Sequence, residues 1–183
     1  ETIATMGARE FQAYRHSHYN AATTVVTAAG RLDHDHIVDT VGKHLATVPA
    51  GALPKPRRFP PPPRKPRIVA EARDIQQTQL CLALPSFGQC HPARHAAGLL
   101  NVILGANASS RLFQQLRERR GLCYTVGSHI TSLTDGACLV ISAGLDRANL
   151  AKSLALILAE FESLRSRHVG AAELRRAKEF VVG

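Results

Sequence analysis

The chain has 183 residues, 45% of them hydrophobic and 20% charged, which is too apolar for a disordered polymer and long enough for one or two compact cores. Its formal net charge of +9 invites a nucleic-acid partner, but six of those charges sit on Lys55, Arg57, Arg58, Arg64, Lys65 and Arg67 without one acid between them, and with no tryptophan and 5% aromatics little could stack on bases. No apolar run approaches the roughly 18 residues of a membrane-spanning helix, and Glu1-Thr2-Ile3-Ala4 has neither the basic region nor the apolar stretch of a signal peptide.

The absent initiator Met suggests a fragment or a processed chain. Cys81, Cys90, Cys123 and Cys138 form no C-x-x-C pair. Three of them lie in apolar, strand-like runs, which reads as reduced, half-buried thiols, with Cys90 on a loop.

In chain order, "AREFQAYRHSHY" places Phe11, Tyr14 and His18 at helical spacing, and the β-branched run "TTVVTAAG" reads as a short strand ended by Gly30. "LDHDHIVDTVGKHL" reads as a second helix with Asp33 or Asp35 at its N-cap and Ile37, Val38, Val41 and Leu45 on one face. Residues 47–66, "TVPAGALPKPRRFPPPPRKP", hold prolines that fix φ and remove donors, so they form a linker. The same run also resembles a polyproline II ligand for an SH3-type groove, with a stiff spacer as the plainer reading.

Beyond the linker, "RIVAEAR" and "TQLCLALPS" read as strands, and "PARHAAGLLNVILG" as a helix opened by Pro92 and closed by Gly105. "SSRLFQQLRERRG" is a helix capped by Ser109 or Ser110 and stopped at Gly121. "LCYTVGSHIT" and "ACLVISAGL" then form an antiparallel hairpin through Asp135-Gly136. A long helix from Arg147 to about residue 167 and a final one in "AAELRRAKEFVV" complete the pattern. The expected class is α+β: an antiparallel sheet with helices packed on one face.

Few constellations carry chemistry. His91 and His95 stand four apart in "HPARH", but Pro92 and Arg94 occupy the positions where a zinc motif would hold a carboxylate, so no metal site is expected there. No nucleophile elbow, Walker loop or dinucleotide fingerprint occurs, and no catalytic residue is assigned in this chain. In "RERRGLCY" a helix ends in cations before Gly121, and Arg117 and Tyr124 could face one concavity, a fixed fork of donors beside a hydroxyl. The alternative has Arg119 and Arg120 answering the helix dipole while Tyr124 fills the core.

The block "LNVILGANASSRLFQQLRERRGLCYTVGSH" resembles the signature of the M16 peptidases, the pitrilysin, insulinase and mitochondrial-processing-peptidase family, in their non-zinc-binding half. "QQTQLCLALP", "HYNAATTVVTAAGRLDHDHI" and "AAELRRAKEFVVG" extend the resemblance over almost the whole chain.

The resemblance implies an M16 (LuxS-like) repeat, with residues 67–183 as an inactive C-terminal-type domain truncated at its end. Residues 1–46 would then close the preceding repeat, either dangling from it or docking into the same domain through pairing of residues 23–29. It implies Arg117 and Tyr124 directed at an extended peptide substrate, with Phe113 lining the same chamber. Zinc would be held by an H-x-x-E-H domain in the same or a partner chain, since no such motif occurs here. This chain alone would neither bind zinc nor hydrolyse peptides.

The turn Gly105-Ala106-Asn107-Ala108 departs from a glycine-rich one and would stiffen a loop expected to flex. The function implied is a non-catalytic domain of a zinc metalloendopeptidase in a soluble protein of the bacterial cytoplasm or periplasm, a homo-oligomer being admissible. An inactive subunit with a peptide-binding or assembly role is the alternative.

Overall fold

The computed structural model describes residues 2–55, 60 and 65–183. Pro61, Pro62, Pro63 and the flanking Arg57, Arg58 and Arg64 lie outside the described residues, and with them the polyproline II and spacer readings of that run. The chain divides into two compact units, 1–57 and 58–183, with the boundary inside the proline-rich linker.

The first unit holds helices α1 (Thr2–Thr5), α2 (Ala8–His18) and α3 (His34–Leu45). Asp33 caps α3 by accepting from the His36 N–H at 2.8 Å, as its position before an apolar-periodic run implies. Asn20 is buried and ties the unit together: its Nδ2 donates to Ala52 O at 3.3 Å, while Ala21 N donates to Pro49 O at 2.9 Å. The expected strand over residues 23–29 does not form. After a 3-10 turn at Ala21–Thr23 the backbone carries no ladder, and Val25 and Val26 are exposed.

The second unit holds β1 (Thr78–Ser86), α4 (Arg94–Leu104), a π-helical segment Phe113–Glu118, β2 (Cys123–Ser132), β3 (Ala137–Leu145), α5 (Leu150–Ser166) and α6 (Ala171–Val182). The three strands make one sheet in the order β1-β3-β2, antiparallel throughout. "RIVAEAR" is not a strand; its residues lack any pairing and Ile68 is 91% exposed.

Strand alternation separates the two faces of the sheet. Leu80, Leu82 and Leu84 of β1 stand opposite Ala143, Ile141 and Leu139 of β3, which in turn stand opposite Val126, Ser128 and Ile130 of β2. This face packs on Leu104, Leu112, Leu116 and Ile157 from the helices and forms the core. On the other face Gln79, Cys81, Ala83, Thr125 and His129 remain exposed. The helices therefore cover one side of an antiparallel sheet, the α+β arrangement anticipated from the periodicities.

Candidate functional site

Arg117, Phe113 and Tyr124 are placed by a helix end and a strand start. The helix begins at Arg111 and Leu112 with α geometry and widens to π geometry from Phe113, where Arg119 N donates to Gln114 O at 3.0 Å. Single π turns of this kind insert an extra residue into a helix and redirect the side chains beyond it. Leu112 and Leu116 are sealed in the core, so the intervening Phe113 and the adjoining Arg117 turn toward the surface. The Arg117 guanidinium carbon lies 5.0 Å from the Phe113 ring centroid, a cation–π stack. Among the described residues Arg117 has no ion-pair partner.

The helix stops at Gly121, whose φ of +57° only glycine adopts without strain. Gly121 N donates to Arg117 O at 3.0 Å and Leu122 N to Leu116 O at 2.8 Å, closing the widened end. Asn149 Nδ2 pins the next residue by donating to Leu122 O at 3.2 Å. Of the flanking cations Arg120 acts locally: its guanidinium donates to Gln115 O at 3.0 Å and also meets the Gln115 side-chain carbonyl.

Tyr124 is not a core residue. Cys123 pairs with Leu145 and Thr125 with Gly144, so Tyr124 is the extra residue of a β-bulge, opposite no partner and 55% exposed. A bulge re-aims a side chain at a strand start, and here it exposes the phenol while its neighbour Cys123 stays buried. Burial pushes the Cys123 thiol up and the Arg117 charge opposes that rise, which places the arginine's field on the residue adjoining Tyr124.

A nearby concavity of about 350 Å³ is lined by Phe113, the turn 105–108 and the β2 and β3 residues Gly127, His129 and Ser142, whereas the expected Arg117 and Tyr124 are not among its lining residues. Gly105 is obligatory at its rim, because a Cβ there would fall 2.6 Å from Ser128 Oγ and 2.8 Å from Ser128 N. The expected side-chain cap on the helix after this turn does not form: among the described residues the Ser110 hydroxyl is buried without a partner, and the bond from Ser109 N to Asn107 Oδ1 at 2.8 Å lies within the turn itself.

The histidines of "HPARH" do not share a helix face. His91 precedes α4, accepts from Ala93 N through Nδ1 at 3.1 Å and stacks on Phe87 at 4.3 Å. Among the described residues no three of His, Cys, Asp or Glu gather as a metal would require, so the donor set does not fit a zinc ion. Among the same residues no helix is long and apolar enough to cross a membrane.

Sequence reasoning missed Arg111. Its Nε and Nη2 donate to Glu173 Oε1 and Oε2 at 2.8 Å each, Nη1 donates to Ser163 Oγ at 3.4 Å, and Glu160 Oε2 stands 3.5 Å away. The pair is half-buried, and the bonds to Glu173 raise the arginine's proton affinity while holding the Glu173 carboxyl below the usual carboxylate range.

The profile of the peptidase M16 inactive domain matches residues 5–181. An uncharacterized zinc protease of Streptomyces coelicolor is 34% identical over 152 residues, 79% of this chain and 33% of the relative. Another, from Bacillus subtilis, is 28% identical over 186 residues, all of this chain and 44% of the relative. The crystal structure of a peptidase M16 inactive domain from Pseudomonas fluorescens superposes with a TM-score of 0.80 at 25% identity, covering 99% of this chain and 44% of that one. The chain thus spans between a third and a half of the proteins it matches.

Proposed function

The chain belongs to the peptidase M16 inactive-domain family, and from that membership we propose that it is the non-catalytic half of a zinc metalloendopeptidase, orienting an extended peptide for a zinc-binding half outside this chain. The observation that carries the reading is the exposed Arg117, stacked on Phe113 and free of ion pairs among the described residues, on the segment that leads into the bulged Tyr124. A guanidinium offers a planar fork of donors and a phenol one more, so together they suit a peptide carbonyl and the oxyanion that develops on it.

Zinc, held by the partner domain, would activate the attacking water. The residues here bind and orient: Phe113 fixes the plane of the guanidinium, Arg117 and Tyr124 donate to the substrate, and the concavity at Phe113 receives part of the chain. The names of the relatives, zinc proteases in Streptomyces coelicolor and Bacillus subtilis, support the same assignment.

Reconstitution tests it. This chain and a separately expressed H-x-x-E-H half should each fail to cleave a fluorogenic peptide and should cleave it when mixed. Unchanged cleavage by the zinc half with and without this chain would refute an orienting role. Peptide binding by a full-length protein with no H-x-x-E-H motif in it or in a neighbouring subunit would instead make the chain part of an inactive binding subunit.

A further inference from the structure

Arg111 occupies an unusual place for a structural ion pair. Its side chain is 21% exposed, and the Glu173 and Glu160 carboxylates that face it are 26% and 19% exposed. One planar guanidinium thereby ties the start of the substrate-facing helix to α6 through Glu173 and to α5 through Glu160 and Ser163. Two parallel N–H···O bonds to one carboxylate fix direction as well as distance, which a point charge cannot do.

The π-helical segment just beyond Arg111 needs such a constraint. Leu112 and Leu116 set its depth in the core and the face it buries, but apolar burial is non-directional and leaves the fine angle about the helix axis to a directional contact. The π geometry from Phe113 onward is a less regular ladder than an α-helix. Its far end is held by the Gly121 turn and by the Asn149 bond to Leu122. Its near end is held by Arg111, two residues before Phe113 and six before Arg117.

We infer that Arg111 is a positioning residue: its fork to Glu173 sets the rotation of the π segment and so presents Phe113 and Arg117 at the angle the substrate requires. The inference rests on the proposed orienting role of Arg117. It makes α6, sequence-remote from the site, part of the apparatus that aims it.

Arg111→Lys keeps the charge and loses the fork, and Glu173→Gln keeps the shape and loses the charge. In the full-length protease each should lower kcat/KM by about tenfold, the scale of coupling between residues of one network. In an Arg117→Ala background that factor should collapse to about one, because the residue being aimed is gone. A merely structural role would carry the same factor into both backgrounds, and that result would overturn the inference.

Fluorine NMR of 4-fluorophenylalanine at position 113 gives a readout independent of turnover. Arg111→Lys and Glu173→Gln should displace or broaden the resonance, whereas Arg165→Lys, which disturbs only the exposed Arg165–Glu162 pair, should leave it in place. An unmoved resonance in both network variants would also overturn the inference. If the resonance moves while Arg117→Ala leaves kcat/KM at the parent value, the substrate role of Arg117 fails and the mechanical role of Arg111 stands.

Discussion

Arg117 lies over the face of Phe113 with its guanidinium carbon 5.0 Å from the ring centroid, four residues along the same widened turn. The ring meets the cation without using any of its N–H donors, and among the described residues no ion pair occupies them. Phe113→Leu keeps the apolar volume and removes the π face. It should raise KM for an extended peptide by about two- to fivefold, the equivalent of an exposed cation–π contact, with little change in melting temperature. An unchanged KM would show that the stack does not pre-order the arginine.

Gly121 is the hinge between this helix and β2, with φ at +57° and no atom within 4 Å of the point a Cβ would occupy. Gly121→Ala therefore meets no clash, only the left-handed backbone penalty of about 1–2 kcal/mol. Thermal unfolding should shift down by about 2–4 °C per kcal/mol. Gly121→Asn should lose less, because asparagine tolerates that region; equal losses in the two variants would point to a different cause.

Gly105 and Gly127 offer a paired contrast at the concavity. A Cβ on Gly105 would lie 2.8 Å from the Ser128 backbone nitrogen, whereas one on Gly127 meets only Gly105 O at 3.5 Å. Gly105→Ala should destabilise by about 1–3 kcal/mol, as overpacking does, and Gly127→Ala should be tolerated. Denaturant midpoints of the two proteins check this, and equal midpoints would contradict it.

Glu173 links stability to pH. Its hydrogen bonds from Arg111 hold its folded-state carboxyl below the ordinary value of 4.5. A depressed carboxylate contributes stability that is fully present above the unfolded-state value and is lost as pH falls through the folded one. The parent should therefore lose stability below about pH 5 more steeply than Glu173→Gln. Parallel stability curves for the two over that acid range would contradict the sign.

Much of this arrangement is legible in the sequence. Alternation in "TQLCLALPS" and the helical spacing of "RHAAGLLNVIL" specify β1 and α4, and Asp135-Gly136 marks the hairpin. The bulge at Tyr124 has no such signal, because Tyr124 and Val126 fit one face of a regular strand and only the pairing of Cys123 with Leu145 and of Thr125 with Gly144 reveals it. The π turn has none, because Leu112 and Leu116 at a spacing of four fit an α-helix equally well.

"TTVVTAAG" and "RIVAEAR" carry β-propensity, yet propensity measures fit to a pleated surface, and the described residues offer these runs no ladder partner. The Arg111–Glu173 fork spans 62 residues, beyond the reach of any local pattern. The helix end and strand start single out Arg117 and Tyr124, and the family resemblance favours the pair over its local alternative and adds Phe113. Composition and spacing alone would have allowed a buried Tyr124.

The most direct test of the account is kcat/KM on an extended peptide for Arg117→Ala and Tyr124→Phe in the full-length protein. Both substitutions are at exposed positions and should leave folding intact. Each should lower kcat/KM by roughly one to three orders of magnitude, the range for a lost oxyanion donor. Parent-level kcat/KM in both variants would contradict a substrate-orienting role for this half of the molecule.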